Sequence, residues 1–169
     1  MLTIRKAEPE DCPSIARVHK SAVGAISTDF YTQEEIEAWA IPRTPEDYMQ
    51  SIDKKAFYVA VDGDVVVGFG VLNQERREIE AVYVSPDVMR RGAGLMILGV
   101  LEERARALGL EALSLNASLN AVRFYQRAGY VAQKESKYRL RSGVEIACVP
   151  MLKRLMLSES ATDSSLKPH

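Results

Sequence analysis

The segment with the clearest potential for chemistry spans residues 82–95, where an apolar stretch ends and two arginines and two glycines follow. Gly92 and Gly94 lie at the predicted start of a helix, whose first backbone amides have no partner and carry partial positive charge. A glycine has no Cβ to keep a phosphate away from such amides. The pattern therefore predicts an anion site suited to a pyrophosphate, to which Arg90 and Arg91 add positive charge.

Two known phosphate-binding patterns do not fit this segment. A P-loop requires Gly-Lys-Ser/Thr, but Gly94 is followed by Leu95 and Met96. A dinucleotide fingerprint requires a third glycine where this chain has Ile97. If this segment is considered alone, a glycine-containing turn that binds no ligand explains the residues as well as an anion site does.

A second motif follows one predicted strand later, in residues 116–130. Together the two segments resemble the GNAT superfamily of acyl-CoA-dependent N-acetyltransferases, and the resemblance extends from about Leu2 to Leu155. The first family signature is a strand, a Val-x-Pro corner and then Gln/Arg-x-x-Gly-x-Gly/Ala, from which this chain departs by having Met89 at the Gln/Arg position. The second, Asn-x-x-Ala-x-x-Phe-Tyr-x-x-x-Gly-Phe/Tyr, is approximately matched by Asn120, Ala121, Phe124, Tyr125, Gly129 and Tyr130.

The resemblance implies a mixed α/β fold with a central sheet of about six or seven strands, helices on both faces and a splayed parallel strand pair. It implies acetyl-CoA as the cosubstrate, with the pantetheine arm on the freed strand edge and the pyrophosphate on the main-chain amides of residues 90–95. The cofactor-binding residues would be Val82, Tyr83, Val84, Met89, Arg90, Arg91, Gly92, Ala93, Gly94, Leu95, Asn120 and Tyr125.

The reaction implied by the resemblance is direct attack of an amine on the acetyl thioester. Tyr125 lies where the family places the proton donor for the leaving thiolate, although a core tyrosine is the alternative. For the general base we favour Glu80, with Glu78 second, although some family members use only ordered water. We expect both carboxylates, two residues apart on one strand, to face the same way as Val82 and Val84. The alternative is a solvated strand end, paired with one of the two preceding arginines.

Aromatic residues between the first helix and the first hairpin would form one wall of the site that binds the acetyl acceptor, which we call the acceptor wall. Packing in a helix core also explains some of these residues. The substrate-binding residues predicted are Phe30, Tyr31, Trp39 and Glu78. Asn120 would cap a helix at Ala121 or contact the cofactor, and His19 is interpreted as a half-buried, hydrogen-bonded histidine. The acceptor would be an amine of a small molecule or a protein, and the alternative function is a non-catalytic acyl-CoA sensor.

The elements that must position these residues follow from hydrophobic periodicity and turn residues. A βαβ unit over residues 78–115 predicts a parallel strand pair with a right-handed crossover. The predicted strands cover residues 2–6, 56–61, 64–72, 78–84, 113–115, 130–141 and 144–155. Helices are predicted after Glu8, from the capping box at Thr32, from Thr44, over 91–108 and over 121–128.

Composition limits the remaining possibilities for this chain of 169 residues, for which we expect one domain over residues 1–155 and a polar, flexible tail over 156–169. A formal net charge of -1 argues against a nucleic-acid binder. Two cysteines and two histidines without clustering predict no metal site. The absence of a signal peptide or a long apolar run predicts a soluble, cytoplasmic protein that binds no membrane. A homodimer paired through the last strands is compatible with the sequence.

Overall fold

Eight strands form one mixed sheet in the computed structural model, which describes residues 1–156. The spatial order is β1-β2-β3-β4-β5-β8-β6, and β7 also pairs with β8. The strands are β1 (Leu2–Lys6), β2 (Ala56–Asp62), β3 (Val65–Asn73), β4 (Glu78–Val84), β5 (Ala112–Ser118), β6 (Val131–Ala132), β7 (Ser136–Arg139) and β8 (Glu145–Arg154). The predicted mixed sheet is confirmed, with eight strands instead of about six or seven. The predicted tail lies outside the described residues except for Met156.

Helices cover both faces of the sheet. They are α1 (Cys12–Gly24), α2 (Gln33–Ala40), α3 (Pro45–Lys54), α4 (Ala93–Ala107) and α5 (Val122–Arg127). Side chains from α4 and α5 pack in one core cluster, and those from α1 and α3 pack in another on the opposite side. We call these two sides the α4 face and the α1 face. No helix within residues 1–156 has the length and apolar character needed to cross a membrane.

Side-chain caps fix the starts of two of the helices. The hydroxyl of Thr32 accepts a hydrogen bond from the amide of Glu35, whose carboxylate accepts one from the amide of Thr32. This is the predicted capping box, and it satisfies two amides that a helix start leaves unpaired. Thr44 caps α3 in a similar way by accepting from the amide of Asp47.

The long strand predicted over residues 130–141 is wrong, because the chain forms the two short strands β6 and β7 there. The break lies opposite Pro150 of β8, whose carbonyl accepts from the amide of Gln133 at 2.8 Å. In an antiparallel strand the N and C=O of one residue point to the same side. Pro150 has no N–H to donate on that side, so the ladder is interrupted.

The hairpin and α4 differ from prediction by one or two residues. Strands β2 and β3 are joined through Gly63 and Asp64, one residue later than the predicted Asp62-Gly63 turn, because Gly63 takes the φ of +62° that the tight turn requires. Helix α4 begins at Ala93 instead of Arg91, because Gly92 has a φ of +81° and so lies outside the helix. At its other end α4 stops at Ala107, and Gly109, with a φ of +76°, follows the C-cap Leu108 as the predicted stop.

Two glycines of β3 allow α4 to pack directly on the sheet. A Cβ at Gly70 would lie 2.3 Å from Cγ2 of Ile97, and one at Gly68 would lie 3.0 Å from Cδ1 of the same side chain. Because Ile97 is fully buried and β-branched, it has little freedom to move away. The two glycines of β3 therefore determine how closely α4 packs on the sheet.

We expect Gly70→Ala to destabilise the chain by about 1–3 kcal/mol, the usual penalty for overpacking a core. The matched control is Gly99→Ala in α4, because a Cβ at Gly99 meets no atom within 4 Å. That change should be neutral or stabilising by up to about 1 kcal/mol, since alanine favours a helix. Urea unfolding of both variants measures the difference. Equal stability of the two would contradict the direct packing of α4 on Gly70.

Candidate functional site

The parallel pair of β4 and β5 opens after two residues. The register pairs Glu78 with Ser114 and Ile79 with Leu115, and no further. Beyond this point β4 continues to pair with β3, whereas β5 continues with β8. The edge of β4 that faces β5 therefore has no partner strand over residues 80–84, and its backbone polar groups are free to bind a ligand. This opening matches the splayed pair that the sequence predicts.

A β-bulge lies in β4 at the point where the pair opens. Val71 of β3 pairs with Ala81, and Leu72 pairs with Ile79. Glu80 is the residue between them and has no partner on β3. A bulge inserts one residue into the alternation of a strand, so side chains on its two sides change faces.

The bulge makes one prediction wrong. Val82 and Val84 pack in the core of the α4 face, as Ile79 does. Glu78 directly precedes Ile79, so the alternation of the strand puts it on the α1 face. The Glu80 side chain reaches the end of α3, which also lies on the α1 face. The two carboxylates therefore do not face the same way as Val82 and Val84.

The loop before α4 presents unpaired backbone amides. Arg90 and Gly92 have φ values of +72° and +81°, so the chain turns through two left-handed residues before the helix begins. A helix start leaves its first amides unpaired and partially positive. Within residues 1–156, amides that donate neither to the backbone nor to a side chain include those of Arg90, Gly92, Ala93, Gly94 and Leu95.

The two glycines of this loop serve different purposes. Gly92 adopts a left-handed conformation with open space around it, as a close approach by an anion requires. A Cβ at Gly94 would lie 3.3 Å from Cζ of Phe124 and 3.7 Å from Cγ2 of Val84. The missing side chain at Gly94 thus brings the start of α4 against α5 and the end of β4.

The side chains of the loop point in different directions. Arg91 donates to the carboxylate of Asp62 at 2.8 Å, which ties the loop to the β2–β3 hairpin. The Asp62 carboxyl has a pKa below its ordinary value because of this hydrogen bond. Arg90 forms no ion pair with any residue of the described chain, and the Met89 side chain is exposed. Arg91 is therefore a structural tie as well as a source of positive charge.

Tyr125 of α5 is a buried ring with an unpaired hydroxyl. Its ring packs edge-on against Phe124 and Tyr130, with centroids 5.0 and 5.7 Å apart. No buried side-chain polar atom of residues 1–156 lacks a hydrogen-bond partner, so the unpaired hydroxyl must be partly exposed to solvent. Burial, together with the nearby Tyr83, raises the pKa of Tyr125 well above its ordinary value of 10.0. The phenol is therefore protonated at neutral pH.

The two carboxylates of β4 have opposite environments. Glu80 accepts hydrogen bonds from Lys55 at 2.7 Å and from Asn73 at 2.8 Å. Burial alone would raise the pKa of Glu80, but these two bonds lower it below the ordinary value. Burial and the neighbouring Glu80 raise the pKa of Glu78, for which residues 1–156 supply no ion pair. Lys55, instead of either arginine before the strand, is the ionic partner.

The predicted acceptor wall is only partly assembled. Tyr31 and Trp39 are in edge-on contact, with centroids 5.5 Å apart, and the indole of Trp39 donates to the hydroxyl of Tyr83 at 3.2 Å. Phe30 is 46% exposed, and none of the aromatic ring pairs of the described chain includes it. Glu78 lies on the same face as this cluster, at the start of β4.

Tyr31 has a structural role in addition to any contact with a substrate. Its hydroxyl donates to the carbonyl of Ala147 at 2.7 Å and accepts from the amide of Leu119 at 2.9 Å. These bonds tie the segment before α2 to β8 and to the end of β5. Burial raises the pKa of Tyr31, which keeps the donor protonated.

His19 is a half-buried, hydrogen-bonded histidine, as predicted. Its Nε2 lies 2.8 Å from the carbonyl oxygen of Trp39, and its ring packs edge-on against Tyr83. Burial lowers the pKa of His19, so the ring is neutral at pH 7. Because a carbonyl oxygen only accepts, the proton of the neutral ring is on Nε2.

Asn120 does not cap α5. It lies in a short turn, Leu119–Ala121, and the helix that follows has no side-chain cap. The predicted capping role is therefore wrong, whereas contact of the exposed Asn120 with a cofactor stays a prediction.

Sequence reasoning missed Lys55, Asn73 and the side chain of Tyr83, which join the site through tertiary contacts. Lys55 and Asn73 hold Glu80, and burial raises the pKa of Tyr83 to about 12. None of the three has a distinctive local pattern, because each depends on which strands and helices become neighbours.

Comparison with known proteins gives a consistent result. A family model described as an acetyltransferase (GNAT) domain matches residues 27–155. No curated protein sequence matches the chain significantly. Among solved structures, the chain is similar to a GCN5-related N-acetyltransferase, also described as a class-II aminotransferase, from Rhodopseudomonas palustris. The identity is 29% and the TM-score 0.84, with 90% of this chain and 95% of that chain covered.

Two further structures hold a ligand. PaiA N-acetyltransferase from Thermoplasma acidophilum, in complex with coenzyme A, is 19% identical with a TM-score of 0.75, covering 91% of this chain and 99% of that one. Phosphinothricin acetyltransferase from Sinorhizobium meliloti, in complex with acetyl-CoA, is 19% identical with a TM-score of 0.72, covering 99% and 93%. At these identities the likeness shows a shared fold.

The contrast between the two carboxylates predicts opposite effects of pH. The folded-state pKa of Glu80 lies below its ordinary 4.5, so its ionised form stabilises the fold above pH 4.5 and this contribution is lost as the pH falls through the folded pKa. The folded-state pKa of Glu78 lies above 4.5, so ionisation of Glu78 opposes folding as the pH rises.

We therefore expect Glu80→Gln to be less stable than the wild type at pH 7, with the difference shrinking towards pH 4. Relative to the wild type, Glu78→Gln should instead gain stability between pH 4 and pH 7. Urea unfolding of the three proteins across this pH range measures both trends. Parallel pH trends of the two variants would contradict the assigned environments.

Proposed function

The chain belongs to the GNAT acetyltransferase family, and from that premise we propose that it is an N-acetyltransferase. It would transfer the acetyl group of acetyl-CoA directly to a primary amine of a small molecule or a protein. The observation that carries the proposal is the open edge of β4 next to the unpaired amides of Arg90 and of residues 92–95. The bound coenzyme A and acetyl-CoA in two structural neighbours support it.

The two features fit the two polar parts of coenzyme A. The amides of a pantetheine arm can pair with the free backbone of residues 82–84, in the way that a peptide adds to a sheet edge. The unpaired amides of Arg90 and of residues 92–95 suit the diphosphate, because several N–H donors and the helix dipole converge on one anion. Met89, Arg90 and Asn120 are exposed, and α5, which carries Tyr125, packs against Gly94 through Phe124.

The chemistry requires one proton to be removed and another to be supplied. The nitrogen lone pair attacks the thioester carbon, so that a C–N bond forms and the C–S bond breaks. Tyr125 donates its phenolic proton to the departing thiolate, and its raised pKa keeps that proton available at neutral pH. Its hydroxyl is free to do so because no residue of the described chain accepts from it.

A general base has to remove the proton of the incoming amine. An amine with a pKa of about 10.4 is neutral in roughly one molecule in 2,500 at pH 7, a handicap of about 4.6 kcal/mol. Glu78 has the raised pKa and no ion pair, whereas Glu80 is held by Lys55. Because of this difference Glu78 is the better proton acceptor of the two carboxylates, and Glu80 positions Lys55. Transfer through ordered water to either carboxylate uses the same groups.

Acetyl-CoA should stabilise the protein strongly in a thermal-shift assay. At about 100 times the dissociation constant, a ligand adds about 2.7 kcal/mol, which raises the Tm of a chain of this size by roughly 5–10 °C. NAD and ATP at the same concentrations serve as controls for general diphosphate or triphosphate binding. An equal response to ATP and acetyl-CoA would argue against the proposed cosubstrate.

Replacing the proton donor should slow turnover without loosening the cosubstrate. We expect Tyr125→Phe to reduce kcat by about 100-fold, because a positioned proton donor contributes on that order. The affinity for acetyl-CoA should change little, since the ring is retained. Release of free thiol, measured with a panel of amines, gives kcat.

Tyr130→Phe is the matched control, because Tyr130 is a buried tyrosine in contact with Tyr125 whose hydroxyl donates to Glu102 at 3.1 Å. It should lose stability but not turnover. Unchanged kcat in Tyr125→Phe would remove Tyr125 from the mechanism. Stabilisation by acetyl-CoA with no thiol release for any amine would favour the non-catalytic sensor instead.

A further inference from the structure

A small pocket rich in positive charge lies between α3 and the turn that joins β7 to β8. Its volume is about 230 Å³, below the roughly 300–1,000 Å³ typical of pockets for drug-sized ligands. It therefore has room for a small group. The lining side chains include Arg43, Asp47, Ser51, Lys54, Lys55 and Arg141.

Two of these cations are already paired. Arg141 forms an ion pair with Asp47, and Lys55 forms one with Glu80. Arg43 and Lys54 have no acidic partner within residues 1–156. Lys54 ends α3, where the helix dipole favours a cation. Arg43 lies in the loop before α3 and has no such explanation within the fold.

Arg43 also lies next to the candidate active site. Its backbone amide donates to the hydroxyl of Tyr48. Burial is the largest influence on the pKa values of His19, Tyr83 and Glu80, and the positive charge of Arg43 lowers all three in addition. Arg43 lines the pocket together with Lys55, whose ammonium pairs with Glu80, so it lies on the face that bears both carboxylates.

The pocket and the β4 bulge share one ion pair. Lys55 lines the pocket, and its ammonium lies 2.7 Å from Oε2 of Glu80 on the bulge. A molecule whose amine reaches Glu80 would thus lie beside a pocket that Arg43 also lines. An arginine without a partner is suited to a carboxylate, because its planar group donates two parallel hydrogen bonds.

We propose that the acetyl acceptor is a small primary amine carrying a carboxylate, as in an amino acid, and that Arg43 binds this carboxylate. The proposal rests on the N-acetyltransferase function proposed above. Lys54 adds positive charge to the pocket, and the Asp47–Arg141 pair forms its outer wall. Arg43 is then a substrate-binding residue that determines which amines are accepted.

The test compares α-, β- and γ-amino acids with their carboxamides, which keep the amine but lack the negative charge. With the wild type, kcat/KM should be about 10- to 100-fold higher for the best amino acid than for its carboxamide, the range expected for hydrogen bonds to a charged group. Arg43→Gln should lose this advantage, mainly through a higher KM, and keep its activity on the carboxamide.

Arg104→Gln is the matched control, because Arg104 is an exposed arginine of α4 on the other face of the sheet. It should retain the wild-type preference. The Tm of Arg43→Gln should equal that of the wild type, since the exposed Arg43 has no ion pair to lose. An unchanged Tm, together with a lost preference for amino acids over carboxamides, would show that Arg43 acts in substrate binding and not in folding.

Three results would overturn the proposal about the acceptor. One is a wild type that acetylates the carboxamides as well as the amino acids, and another is an Arg43→Gln variant that loses activity on both equally. The third is activity confined to the N-terminal amines of acidic peptides, included as a separate arm. In all three cases thiol release still occurs, so the proposed acetyltransferase function survives. If no amine releases thiol, that function and the acceptor proposal both fail.

Discussion

The early end of the pairing between β4 and β5 is the constraint on which the rest of the site depends. After Ile79 and Leu115 the two parallel strands part, and each completes its hydrogen bonds with its other neighbour. A strand edge inside the sheet is thereby left open, in a place where a sheet edge is otherwise buried. The bulge at Glu80 belongs to the same event, because it turns β4 as the strands separate.

Helix packing then brings the other parts of the site to this opening. Gly68 and Gly70 allow α4 to lie directly on β3, which fixes where the helix starts relative to the end of β4. Gly94 accommodates the ring of Phe124, so α5 arrives at the same place with Tyr125 attached. Gly68, Gly70 and Gly94 thus position the loop amides and the phenol of Tyr125 through close packing. Gly92 contributes through its left-handed conformation.

The sequence was sufficient for most of the elements, because their signals are local. Caps at Thr32 and Thr44, the hairpin and the βαβ unit depend on neighbouring residues only. The two segments around Gly92 and Tyr125 indicate the family only together, because the first segment alone is explained equally well by a turn without a ligand.

The errors with the largest effect on the site arose where the outcome depends on pairing between distant residues. The bulge at Glu80 appears only in the register of β4 against β3, so regular alternation assigned the carboxylates to the wrong face. The break opposite Pro150 depends on which neighbour its nitrogen faces. Lys55 and Arg43 reach the site through helix placement, which no spacing along the chain reveals. The acceptor side was therefore the less predictable half.

The sheet separates the residues proposed to hold the cosubstrate from those proposed to surround the acceptor, since α4 and α5 pack on one face and α1 to α3 on the other. Only β4 contributes to both. Under the proposed function, substitutions in α1 to α3 can accumulate during evolution without changing the residues that bind acetyl-CoA. A gene of this kind can therefore acquire a new amine preference after duplication while its acetyl donor stays the same.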